Sequence, residues 1–159
     1  MTRRTRERGL TRLFALVAVL ALVTPSCGAI AYDRAWSRFD AAAIDGEGGA
    51  MVGRWKGEWA SEWNGHSGGL RCMMTRADDG GYCARFYSTF GWFFFFRHET
   101  VFEVVGVEGG TVRFEGEEDL GETFGGVYRY QGTVAGDRFE AEYDAENGDH
   151  GRFTMQRVE

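Results

Sequence analysis

The residues of this chain most able to do chemistry are three histidines and a scatter of carboxylates. His66 follows Asn64-Gly65, His150 follows Asp149, and Glu118, Asp119 and Glu122 crowd a third turn-like stretch. A carboxylate beside an imidazole can hold a divalent cation or pass a proton. The spacing requires neither. The sequence has no H-E-x-x-H pair, G-x-S-x-G elbow, phosphate-binding loop or dinucleotide fingerprint. Asn-Gly, Asp and Ser are also what hairpin turns use for their own hydrogen bonds. We therefore read Asn64, His66, Asp119, Asp149 and His150 as a polar rim of turn residues that folding gathers at one end. No catalytic residue, metal or cofactor is expected, and the chain is read as a non-enzyme.

His98 closes the most unusual stretch, FYSTFGWFFFFRH at 86–98. It shares strand parity with Trp92, Phe94, Phe96, Thr100 and Phe102. No second His or Cys lies on that face, so a core histidine is expected rather than a haem or metal ligand. Tyr87, Phe93 and Phe95 take the other parity and would form an outward apolar patch unless something covers them. Cys72 goes with Leu70 and Met74, whereas Cys83 opposes Tyr82, Ala84 and Phe86. A disulfide needs Cβ atoms about 3.5–4.5 Å apart, which opposite faces forbid without a bulge.

These residues must be positioned by strands. In Gly53 to Gly68, GRWKGEWASEWNGHSG, Trp55, Trp59 and Trp63 share one parity and Lys56, Glu58 and Glu62 the other. That is period two, with Asn64-Gly65 expected as a tight hairpin turn. Turn signals then recur, dividing the chain into Leu70–Arg76, Tyr82–Thr89, Trp92–Val105, Thr111–Glu117, Val127–Val134, Arg138–Asp144 and Gly151–Val158. Eight strands in about 107 residues, with no proline after Pro25, predict an all-β, eight-stranded antiparallel up-and-down barrel over 53–159. Its interior parity offers Trp55, Trp59, Trp63, Phe94, Phe96, His98, Tyr128, Tyr130 and Arg157 as candidate cavity residues. Twenty aromatics lie in this region. An eight-stranded interior is just wide enough to be filled by side chains or to hold one small ligand, so a filled interaction barrel stands beside a ligand-binding one.

Arg157 falls on the inner parity of the last strand with Phe153 and Met155, and must be paired or stacked there; Trp55 is its natural partner if the barrel closes. Gly53-Arg54-Trp55 with this late arginine resembles the calycins (lipocalins, fatty-acid-binding proteins and avidins). In those proteins the arginine packs over the tryptophan. The longer pattern GRWKGEW…NGHSGGLRC…YCARF…GGVYRYQG…HGRF also resembles a group of small uncharacterised bacterial lipoproteins. Both resemblances imply the barrel, and neither implies an activity.

Residues 1–26 carry five arginines and one acid, a net of +4 against −6 for the whole chain, which leaves −10 beyond Ser26. LFALVAVLALV at 13–23 is eleven apolar residues, short of the roughly 20 that span a bilayer, and fits the core of a secretory signal. Ser26-Cys27-Gly28 resembles a lipobox, which would make Cys27 the lipidated N-terminus; Ala29-Ile30-Ala31 offers signal-peptidase cleavage instead. Over 27–52 we expect an anchor, a short amphipathic helix at 32–44 (Tyr32, Trp36, Phe39, Ala43) that covers the barrel, and a glycine-rich linker. The acidic remainder argues against a nucleic-acid partner. A membrane met through the lipid, and a small apolar ligand or another envelope component, are the partners expected.

Overall fold

The structure, a computed structural model, describes residues 30–39, 49–91 and 94–159. The signal segment, Cys27, residues 40–44 of the expected helix, residues 45–48 of the linker, Trp92 and Phe93 lie outside the described residues. The chain divides into two compact units, with the boundary after Arg38. In the first, helix α1 covers the described residues 30–38; Phe39, inside the expected 32–44 helix, is not helical. Tyr32 and Trp36, one turn apart, stack with ring centroids 6.1 Å apart. It is not long and apolar enough to cross a membrane.

The second unit is a closed barrel of eight antiparallel strands, each paired with its sequence neighbours, with the last returning to the first. The strands are β1 Gly53–Ser61, β2 Ser67–Arg76, β3 Tyr82–Phe90, β4 Phe94–Glu108, β5 Thr111–Asp119, β6 Val127–Ala135, β7 Arg138–Ala145 and β8 His150–Val158. Alternation drives it. In β7 Phe139, Ala141, Tyr143 and Ala145 are buried, while Arg138, Glu140, Glu142 and Asp144 are exposed. Such a charged outer face is the reverse of a lipid-facing barrel wall. Register-paired ions decorate it, as in Arg85–Glu99 at 3.0 Å and Arg129–Glu117 at 3.1 Å.

Several boundaries differ from the sequence reading, and two of them have a local cause. β1 stops at Ser61, and a five-residue loop, 62–66, replaces the tight Asn-Gly turn. Ser61 N donates to His66 O at 2.8 Å, closing this loop. Asn64 N donates to Ser61 Oγ at 3.3 Å, and His66 N to Asn64 Oδ1 at 2.9 Å; these local bonds favour the wider turn. Only Gly65 takes a positive φ there. β4 continues to Glu108 because a bulge between Val104 and Gly106 absorbs one residue.

The barrel has two unlike halves. In the half where the chain enters β1, Phe102, Phe114, Phe139 and Trp55 fill the axis, with centroids 4.7 Å (Phe102–Phe114), 4.9 Å (Phe114–Phe139) and 5.8 Å (Trp55–Phe139) apart. Met51, Met155 and Val134 pack with them. Small inward residues make room: a Cβ on Gly132 would stand 2.6 Å from Phe114 Cζ and 2.3 Å from Glu140 O. Cys72 is buried in this core and Cys83 lies half-buried on the other parity; both are free thiols.

A candidate ligand cavity at the barrel mouth

The opposite half is open. Loops 62–66, 120–126 and 146–149, with Gly91 after β3, meet at this end, as up-and-down connection dictates. Below them lies a cavity of about 500 Å³. Trp59 on β1, Ser88 on β3, Phe96 and His98 on β4, and Tyr128 and Tyr130 on β6 supply its walls, with Tyr143 and Phe153 from β7 and β8. Asn64, His66, Phe90, Phe94, Phe95, Leu120, Phe124 and Asp149 surround the opening.

Each wall residue stands on the inward parity of its strand, and its neighbours hold it. Trp59 Nε1 donates to Thr89 O at 2.9 Å, which fixes the indole across β2. Tyr143 stacks on Phe153 at 5.2 Å and donates to Asp149 Oδ1 at 3.4 Å. Ser61 Oγ donates to the same oxygen at 2.6 Å. The loop at 120–126 contains one 3-10 turn, Glu122–Phe124, which sets the Phe124 ring 5.2 Å from Phe96.

His98 sits between Phe86 at 4.9 Å and Phe96 at 5.4 Å, near-parallel to both. Both its ring nitrogens are buried without a hydrogen-bond partner, as is Thr100 Oγ1, the next inward polar atom on β4. Each unpaired buried polar group costs roughly 1–3 kcal/mol. Burial disfavours the charged imidazole and pulls the His98 pKa down to about 4, so the ring is neutral at pH 7. Burial first pushes up the three phenols; the field of Asp149 then acts on Tyr128 and Tyr143, and those of Tyr128 and then Glu118 on Tyr130.

Of the sequence candidates, Trp59, Phe94, Phe96, His98, Tyr128 and Tyr130 line the cavity. Three do not. Trp55 is fully buried in the packed half, and Arg157 lies over it there; parity gives the face of the wall but not the height along the axis. Trp63 is 56 % exposed in loop 62–66, because β1 has already ended. Of the rim residues, Asn64, His66 and Asp149 reach the cavity. His150 is exposed, with Nδ1 3.0 Å from Gly148 O. Asp119 Oδ1 accepts from Gly121 N at 2.8 Å, capping its own turn. His66 and His150 do share one rim, since Ser61 N donates to His66 O and Glu62 N to His150 O, each at 2.8 Å. The His66 ring turns to Phe90, at 4.5 Å. Among the described residues no group of three or more His, Cys, Asp or Glu is placed to hold a metal ion.

Sequence reasoning did not single out Ser88, Phe90, Phe95, Leu120, Phe124, Tyr143 or Phe153 as cavity residues; Phe95, expected on the outward parity, borders the opening while its ring stacks on Tyr87. Tyr143 and Phe153 were within reach, since their parity is plain. Leu120 and Phe124 lie in a loop, where no period marks the inward side. No protein-family model, curated protein or solved structure matches the chain.

Proposed function

We propose that this protein is a non-enzymatic binding module, exported and held at the bacterial envelope by a lipid on Cys27, which takes a small apolar ligand into the mouth of its barrel. The cavity of about 500 Å³ carries this reading. It has the size and largely apolar lining of a small-molecule site, with a few convergent polar groups to fix orientation. The filled-barrel alternative describes only the entering half. The acid–base alternative finds little support, because His66 stacks on an aromatic ring and His150 points to its own turn. Gly53, where the chain enters the barrel, is at the end opposite the mouth.

Titration with N-phenyl-1-naphthylamine, which brightens in a dry apolar site, tests the reading. Saturable one-site binding is expected, and Ser88→Trp, which fills the cavity from β3, should abolish it. Failure of the native chain to bind the dye, or binding unaffected by Ser88→Trp, would contradict it.

A further inference from the structure

We infer that the mouth cavity selects an organic cation with an apolar body, an ammonium or quaternary ammonium carried on an aryl or alkyl group, held by aromatic rings and Asp149. This rests on the binding reading above and adds a charge to it. Ten of the sixteen lining residues are Trp, Phe or Tyr. Aromatic faces carry negative electrostatic potential and attract cations, most strongly where water is excluded. Among the described residues no lysine or arginine lines the cavity, and Asp149 is its one carboxylate. Both side-chain hydrogen bonds to that carboxylate, from Ser61 and Tyr143, land on Oδ1, so Oδ2 is the atom available to a ligand.

The surroundings have the same sign. Glu118 lies on the inward parity of β5 at this end, and its charge and that of Asp149 both disfavour ionisation of the wall tyrosines. His98, held neutral by burial, adds no compensating positive charge at pH 7. A ligand carboxylate would meet Asp149 with no cationic partner, whereas an ammonium would meet a counter-charge and aromatic rings. A neutral apolar molecule would gain burial alone.

Three probes of matched size separate these cases on the full native chain: phenyltrimethylammonium, its uncharged isostere tert-butylbenzene, and benzenesulfonate. Calorimetric titration at low salt should show the cation binding about 10-fold tighter than the isostere, the scale of a desolvated cation–π contact with a counter-ion, and the sulfonate binding weakest. Asp149→Asn keeps an acceptor for Ser61 and should lower the cation-to-neutral ratio at least about threefold. Equal or tighter binding of tert-butylbenzene or benzenesulfonate overturns the charge selectivity while leaving the binding module in place. Binding of none of the three overturns both. The probe comparison on the native chain stands even if the variant does not fold.

Discussion

The guanidinium of Arg157 lies over the indole of Trp55, its Cζ 4.2 Å from the ring centroid. The two are register partners where β8 closes on β1. Arg157 also donates to Val52 O, to Ala50 O at 2.6 Å and to Asp137 Oδ1 at 3.1 Å. One side chain thus ties the segment before β1, the wall of β1 and the β6–β7 turn across the packed end. Trp55 Nε1 completes the clamp by donating to Met51 O at 2.9 Å. This closed end supports the open one: a barrel sealed at its base can leave its other half unfilled.

Arg157→Ala should therefore cost roughly 2–4 kcal/mol, from packing lost over Trp55 and from the part-buried Val52 carbonyl left unpaired. Urea unfolding measures it. Arg157→Lys, which keeps the charge but not the planar stack, should fall between. Native stability in Arg157→Ala would show that closure does not depend on this residue.

Gly53→Ala should also destabilise. Gly53 has φ 148°, and a Cβ there would stand 2.5 Å from Arg157 Nη1. The strained backbone and displaced guanidinium together should cost about 1–3 kcal/mol. In the double variant with Arg157→Ala the clash component disappears, so the two costs should sum to less than additive. Full additivity in urea unfolding would place the Gly53 penalty in the backbone alone.

His98 should make the fold acid-sensitive. Its native pKa of about 4 lies below the ordinary 6.5, so the unfolded chain binds the proton more readily. Stability from this group is complete above about pH 6.5 and falls as pH drops towards 4. Between pH 7 and 4.5 the native chain should lose roughly 2 kcal/mol more than His98→Phe, which removes the titration and keeps the ring. Parallel curves for the two proteins would contradict the buried neutral histidine.

Most of the architecture could be read from alternation because the outward positions are so consistently charged. The strict pattern of β7 fixes its inward face without any structure. The misread positions have local causes. Trp63 keeps the parity of Trp55 and Trp59, but Ser61 Oγ and Asn64 Oδ1 supply bonds that end the strand two residues earlier. The bulge at Val104/Gly106 carries β4 past Gly106 to Glu108, where a glycine after two valines reads as the end of a strand. Period two also says nothing of depth, so Trp55 and Arg157 were grouped with Trp59 and Tyr130 although they occupy opposite halves. Phe124 reaches the cavity from a loop held by backbone bonds such as Gly126 N to Gly121 O at 3.0 Å, which no pattern in the sequence announces.

The mature N-terminus should be Cys27 carrying lipid, from Ser26-Cys27-Gly28 directly after the apolar run. Intact mass spectrometry of the membrane-extracted protein reads the acylated residue. A free chain beginning at Tyr32 would point to signal-peptidase cleavage and a soluble exported form.

Mapping a small apolar probe onto the barrel by NMR chemical-shift perturbation tests the central claim most directly. With tert-butylbenzene or phenyltrimethylammonium, saturable shifts are predicted at Trp59, Phe96, His98, Tyr130 and Phe153, with none at Trp55, Phe114 or Phe139 in the packed half. No saturable shift, or shifts confined to the outer face of the barrel, would contradict a ligand site at the mouth.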